Sequence, residues 1–257
     1  MSGDFPRARA AATRLESVPQ SGSTNADLRA LVAEEAAWPH LSVLLTRNQT
    51  AGRGRLDRSW VAPAGTALAV SVILRRPADP SSRAWIPLLA GAAMADAIAA
   101  QLPDAAVSVK WPNDVLVADR KISGILAEVA GDAVVVGAGV NTAMDEAQLP
   151  VPTATSFAVR GVAVDEDLLV ADYLGALARR LDDLIAAGDP VASGAWEAVS
   201  ERCSTIGRAV RVMLPGDETL DGTAVGLDAE GRLRVVAQGR ERAVPAGDVV
   251  HVRPRRD

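Results

Sequence analysis

From Ser23 the segment STNADLRALVAEEA spaces Leu28, Leu31 and Val32 along one face, which predicts a helix entered through a capping box spanning Thr24 and Asp27. LSVLLT, Leu41 to Thr46, is a short apolar run bounded by polar residues and predicts a buried strand. ALAVSVILR, Ala67 to Arg75, alternates enough to predict a second. IPLLAGAAMADAIAAQL, Ile86 to Leu102, is apolar on nearly every face, so it predicts a core helix with Pro87 tolerated in its first turn. VSVKW, DVLVADRKISGILAEV and AVVVGAGV follow as strands. Their connections near Asp119–Arg120 and Gly131–Asp132 are too short for crossovers, which makes them antiparallel neighbours. Glu166 to Gly188 predicts a long amphipathic helix ended by its glycine. The first twenty residues predict only a loose strand or tail. Beyond Cys203 the pattern changes to short strands separated by Gly and Asp turns. The expectation is an α+β domain over 1–203 and a small β-barrel over 204–257.

Composition narrows the class. With 257 residues, 49 % of them hydrophobic, the chain can bury a large core, and no apolar run reaches the eighteen or so residues of a membrane span. The N-terminus MSGDFPRARA lacks the charged-then-apolar build of a signal peptide, which places the expected location in the cytoplasm. The one cysteine, Cys203, forms no internal disulfide or cysteine zinc cluster, and His40 and His251 are too far apart in sequence to suggest a metal pair. A net charge of −5 speaks against general nucleic-acid binding, whose affinity comes from positive charge meeting phosphates. Among the 27 basic residues only two are lysines, Lys110 and Lys121. A compact ammonium retained at two positions eleven residues apart points to sites where a planar guanidinium does not substitute, unless the spacing is chance.

Three stretches carry candidate chemistry. QTAGRGRLDRSW, Gln49 to Trp60, places Gly52 and Gly54 where the backbone can turn sharply, and Arg53, Arg55 and Arg58 offer forked donors to phosphate or carboxylate oxygens. Such a loop is an anion clamp ordered by its ligand, or else a solvated basic turn. In VKWPNDVLV, Val109 to Val117, Pro112 fixes a bend that presents Asn113 and Asp114 at a strand edge, with Lys121 and Gly124 on the next strand. That arrangement brings a carboxylate beside an ammonium; the alternative is an ordinary surface pair worth at most about 1 kcal/mol. VVVGAGVNT, Val134 to Thr142, is a poor dinucleotide fingerprint because its third glycine is missing, and it reads better as small residues lining a cavity and ending on Asn141. No Walker A loop, zinc-protease helix, EF-hand or nucleophile elbow occurs.

Together these stretches resemble the biotin protein ligases. The likeness rests on STN at Ser23–Asn25, QTAGRGR at Gln49–Arg55 with Arg58 and Trp60, KWPND at Lys110–Asp114, RKISGILAE at Arg120–Glu128 and GAGVN at Gly137–Asn141, in the family's order. The resemblance implies a catalytic domain related to class II aminoacyl-tRNA synthetases and lipoate ligases, with a mixed, mainly antiparallel sheet, and an SH3-like C-terminal barrel. It implies that biotin and Mg-ATP give biotinyl-5′-AMP and pyrophosphate, and that biotin then passes to a lysine of a biotin carboxyl carrier domain. By position, Ser23, Thr24, Asn25 and Gln49 would line the biotin site, with Gly54 and the Gly124 backbone beside the ligand. Arg53, Arg55 and Arg58 would hold the biotin carboxylate and ATP phosphates, Asn113 would face the nucleotide, and Trp60 and Asn141 would lie near the adenine. Lys121 would bridge carboxylate and α-phosphate, and Asp114 would orient the acceptor amine or take its proton. The resemblance names no residues for Mg2+.

Two features depart from that pattern. Asp57 stands where the family usually has glycine in the loop. Only about twenty residues precede STN and they hold no helix-turn-helix pattern, so the DNA-binding repressor role of some relatives is not expected, nor is a membrane partner. The rival readings are a lipoate or octanoate ligase or transferase of the same fold, and a non-catalytic nucleic-acid-binding module.

Overall fold

The computed structural model describes residues 4–55, 58–75, 83–214, 218–245 and 248–251. A seven-stranded sheet forms its centre, in the order β1 (Arg14–Ser17), β2 (Ser42–Thr46), β5 (Ala67–Leu74), β9 (Ala133–Asn141), β8 (Arg120–Ala130), β7 (Asp114–Val117) and β6 (Val107–Lys110). Only β1 and β2 run parallel; every other pair is antiparallel, as the short connections require. A separate ribbon, β3 (Gly52–Arg53) with β4 (Ser59–Trp60), rises between β2 and β5 in the chain.

The two faces of the sheet are chemically different. Leu68, Val70, Val72 and Leu74 of β5, with Val134, Val136, Ala138 and Val140 of β9, join the main core beneath helices α3 (Ile86–Gln101) and α4 (Glu166–Ala187). The alternate positions carry Ser71 and Ile73, and Val135, Gly137 and Gly139, and meet α2 (Thr24–Leu31). All eight residues of β5 are buried because both faces are covered, so its apparent alternation is not the half-exposed kind. By length and composition Arg83–Gln101 would cross a membrane, but it is the buried centre of the helical layer.

Some local expectations shift. Residues 4–20, expected as a loose strand or tail, hold a docked helix as well as the strand β1. Helix α1 (Pro6–Ala11) docks on α4, its first amides Arg7 N and Ala8 N donating to the Asp167 carboxylate at 3.2 and 2.9 Å, while Phe5 is buried and β1 edges the sheet. The cap of α2 lies one residue earlier than expected: Ser23, not Thr24, accepts from Ala26 N. This helix stops at Leu31, short of the expected Ala36, where Arg75 donates to the Val32 and Trp38 carbonyls and turns the chain back. Helix α5 (Ala195–Arg202) was not expected.

The C-terminal strands β10 (Ala209–Met213), β11 (Thr219–Leu227), β12 (Leu233–Ala237), β13 (Arg240–Val244) and β14 (Asp248–His251) form an antiparallel sheet in the order β13-β12-β11-β10-β14. Three indoles fasten it to the rest. Trp196 donates to Leu227 O at 3.1 Å, Trp85 to Ala229 O at 2.8 Å and Trp111 to Gly231 O at 3.1 Å, so alternate carbonyls of one turn receive donors from three elements. Gly231 has φ +74°, and an added Cβ would stand 2.9 Å from Leu88 Cδ1. Gly231→Ala is therefore expected to lower unfolding free energy by about 1–3 kcal/mol, measured by urea titration. Nearby, burial and the charges of Lys110 and Arg208 push the His251 imidazole down to about 4, against the opposing pull of Asp119. Between pH 6.5 and 4 the unfolded chain then binds the extra proton, so this histidine's contribution to stability is lost as pH falls through that window; His251→Gln should flatten the loss in acid-dependent melting curves.

Candidate functional site

On the sheet face that meets α2, small residues leave room. Ala69, Gly137 and Gly139 floor a cavity of about 140 Å³, and α2, the β3–β4 ribbon and strands β7 and β8 wall it. Gly137 is required by Asn25: an added Cβ would overlap Asn25 Oδ1. Gly139 is required by Trp60, whose indole would come within 2.5 Å of a Cβ there. The residues from STN, QTAGRGR, KWPND and RKISG converge on this cavity.

Its polar end is a closed network. Ser71 Oγ, wholly buried, lies 2.7 Å from Thr24 Oγ1 and donates to Asn25 Oδ1 at 2.6 Å. Gln49 Oε1 accepts from Thr24 N at 3.0 Å and Thr24 Oγ1 at 3.2 Å, while Asn25 Nδ2 donates to Leu126 O and to the Glu128 carboxylate. These partners fix each amide, leaving Ser23 Oγ and Gln49 Nε2 at the cavity wall as polar contacts for a ligand.

The other end is charged. The bend between β6 and β7 contains a cis Trp111–Pro112 peptide bond, and Asn113 is locked to β8 by two hydrogen bonds with Ile125, each 2.8 Å. Lys121 Nζ stands 2.6 Å from Asp114 Oδ1, the carboxylate–ammonium juxtaposition expected from the sequence. A bulge in β8 makes it possible. Val115 pairs with Ser123 but Leu116 with Lys121, and the extra residue brings Lys121 to the same side as Gly124, where its stem crosses 3.2 Å from a notional Cβ. An unbroken strand would point residues three apart to opposite faces. Lys121 also lies 5.7 Å from the Trp60 ring centroid, a cation–π contact.

The arginine loop is a two-stranded ribbon in which Gly54 N donates to Arg58 O at 2.6 Å. Arg53, Gly54, Arg55 and Arg58 line the cavity, and Arg55 donates to Asn113 Oδ1 at 3.4 Å. Asp57 lies outside the described residues. A neighbouring cleft of about 210 Å³ shares Arg55 and Asn113 and runs toward Gly231 and Pro245 of the C-terminal sheet. Asn141 is the one expected residue that does not line the cavity; it is buried, and its amide donates to Thr155 O at 2.9 Å.

Sequence reading passed over Ser71 and left Glu128 without a role. A lone hydroxyl in an otherwise apolar buried strand was the available signal for Ser71. Neither histidine lines the cavity, and burial pushes the Cys203 thiol up, away from reactivity. Among the described residues no three His, Cys, Asp or Glu side chains cluster to hold a metal ion. The arrangement puts the Lys121 ammonium and the Arg55 guanidinium beside Asp114 and Asn113, Arg53 beside Glu128, and neutral hydroxyls and amides along the α2 side of the same cavity. It suits a ligand with an anionic reacting group and a polar, uncharged head.

Comparison with known proteins agrees with this geometry. Residues 20–141 match the profile of the biotin/lipoate A/B protein ligase family, and residues 205–252 that of the biotin protein ligase C terminal domain. The chain is 40 % identical over 244 residues to a biotin–[acetyl-CoA-carboxylase] ligase of Mycobacterium tuberculosis, covering 93 % of this chain and 90 % of the relative. A Paracoccus denitrificans protein of the same description is 33 % identical, with 90 % and 97 % covered. The fold matches that of the Aquifex aeolicus biotin protein ligase in complex with biotin and ATP, with TM-score 0.76 and 23 % identity over 94 % of this chain and all of the other. The C-terminal sheet is accordingly the SH3-like domain of that architecture.

Gly137→Ala should test the floor of the cavity. The methyl would displace Asn25 from Ser71 and Glu128 at a cost of about 1–3 kcal/mol, read as a lowered urea midpoint, whereas Gly131→Ala at the exposed turn would report only its backbone strain.

Proposed function

The chain belongs to the biotin/lipoate A/B protein ligase family, and from that premise we propose how its residues carry the reaction of a biotin–[acetyl-CoA-carboxylase] ligase. It joins biotin to ATP as biotinyl-5′-AMP and then transfers biotin to a protein. The observation that carries the assignment of roles is that Lys121, Arg53, Arg55 and Arg58 line one cavity together with the hydroxyls and amides of Ser23, Thr24, Asn25 and Gln49.

In the first step a biotin carboxylate oxygen forms a bond to the α-phosphorus and the bond to pyrophosphate breaks. Both reactants are anions, so cations must offset their repulsion and meet the charge that grows on the phosphoryl oxygens. Lys121 bridges the carboxylate and the α-phosphate, and the ribbon arginines hold the remaining oxygens. Trp60 offers a flat face to the adenine, while Asn141, behind the cavity wall, supports the site through Thr155 rather than touching the base. In the second step the acceptor lysine's amine attacks the acyl carbon, the acyl C–O bond breaks and AMP leaves. An unperturbed lysine has a pKa near 10.4, and Asp114, already held beside Lys121, orients this second ammonium and receives its proton as the amine is freed.

The neutral end selects biotin. Its ureido group can pair with Ser23 Oγ and Gln49 Nε2, whereas the dithiolane of lipoate offers those two groups no hydrogen bond, a basis for rejection. Mg2+ fits as an ion carried by the nucleotide's phosphates, since the cavity supplies at most the Asp114 carboxylate, and no step above rests on a protein-bound metal. The protein partner is a biotin carboxyl carrier domain. We divide the chain after Cys203 into catalytic and SH3-like parts, place its reaction in the cytoplasm, and assign it no nucleic-acid or membrane partner.

Biotin-dependent exchange of pyrophosphate into ATP tests the first step. Wild-type protein should exchange with biotin and not with lipoate. Lys121→Ala should lower the rate by roughly 100-fold or more, and exchange at the wild-type rate would remove Lys121 from the role assigned to it.

A further inference from the structure

Glu128 ends the RKISGILAE stretch, and its side chain, 19 % exposed, touches three groups from two elements. Oε2 accepts from Asn25 Nδ2 at 2.9 Å, while Oε1 lies 2.8 Å from Arg29 Nη1 and 3.6 Å from Arg53 Nη2. Strand alternation puts Gly124, Leu126 and Glu128 on one side of β8, so Glu128 stands about 13 Å along the strand from the point where the Lys121 stem crosses. It borders the open groove under the ribbon together with Leu126 and Arg53.

The ribbon is thus held at two places. Arg55 reaches Asn113 at the Lys121 end, and Arg53 reaches Glu128 at the far end. We infer that Glu128 is a positioning residue that tethers the arginine ribbon over the cavity through Arg53, and so retains the reaction's intermediate between the two steps. This inference rests on the reaction proposed above. The ribbon carries three arginines that line the same cavity as Lys121, and like charges gathered there favour lifting it away; the Glu128 carboxylate beside Arg53 opposes that. Asn25 does not depend on Glu128 alone, because its Oδ1 accepts from Ser71 and its Nδ2 also donates to Leu126 O. Glu128→Gln keeps an acceptor for Asn25 and removes the charge that faces the arginines. Loss of a pure packing role would weaken biotin binding and retention together. Loss of the tether should shorten retention and spare biotin affinity.

The test uses the full chain with labelled biotin and ATP, followed by a chase that reads the rate at which biotinyl-AMP leaves. Wild-type protein that forms no biotinyl-AMP refutes the reaction itself. Where wild type does form and retain it, Glu128→Gln is expected to release it about fivefold faster, to be cut faster by trypsin in the ribbon, and to keep a biotin KM within about twofold. Release and cleavage at wild-type rates overturn the tether. In an Arg53→Ala background Glu128→Gln should add nothing further, and additive effects would show that Glu128 acts elsewhere. Arg29→Ala should leave retention unchanged; release as fast as in Glu128→Gln would place the action of Glu128 on α2 and contradict the inference. If Glu128→Gln does not fold, Glu128→Asp withdraws the charge by one methylene and should also speed release, with wild-type release again the contrary result.

Discussion

Four cationic side chains, Arg53, Arg55, Arg58 and Lys121, converge on one small cavity, and their mutual repulsion is the constraint around which the site is arranged. In a partly dehydrated space such repulsion is poorly screened, so fixed counterparts are needed, and three of the four cations show them on the sheet. Asp114 lies against Lys121, the Asn113 amide oxygen accepts from Arg55, and Glu128 faces Arg53. All three counterparts sit on β7 and β8 or the bend that enters them. The central sheet therefore supplies the rigid frame, and the ribbon supplies cations that can follow an anion. A chain with a net charge of −5 can keep such a positive focus because, among the described residues, Asp114 is the one acid that lines the cavity.

Space is provided by the same strands that build the core. On β5 and β9 one set of alternate residues is large and apolar and packs against α3 and α4, while the other set carries Ala69, Ser71, Gly137 and Gly139. The β8 bulge then corrects the alternation locally so that Lys121 and Gly124 face the cavity together. Stability and chemistry are thus separated by faces of one sheet, and a methyl group added on the cavity face would displace Asn25 or Trp60. The C-terminal sheet is coupled to this frame by Trp111, which belongs to the bend bearing Asn113 and Asp114 and hydrogen-bonds both Thr205 and Gly231.

Much of this was legible from local pattern. Strands joined by short turns declare their pairing, the Ile86–Gln101 helix shows as a long apolar run, and the glycine-ended Glu166–Ala187 helix shows by its apolar period. The two lysines singled out by composition include the one that meets Asp114. What was not legible depends on partners distant in sequence. Helix α1 is fixed by Asp167, some 160 residues away, and α2 ends where Arg75 takes its carbonyls. Ser71 gains meaning only when Thr24 and Asn25 are packed on it, and the bulge at Ile122 has no signature in RKISG. Asn141 illustrates the opposite case: its motif is intact, yet its side chain turns into the wall and braces Thr155.

The central claim is that the cationic end of the cavity brings a biotin carboxylate oxygen onto the α-phosphorus of ATP and that the acyl group then leaves that oxygen behind. Biotin labelled with 18O in both carboxylate positions tests this directly, using a carrier domain as acceptor and mass spectrometry of the products. One 18O should appear in AMP and the other in the new amide. AMP without 18O, or label recovered in pyrophosphate, would contradict attack by the carboxylate at the α-phosphorus.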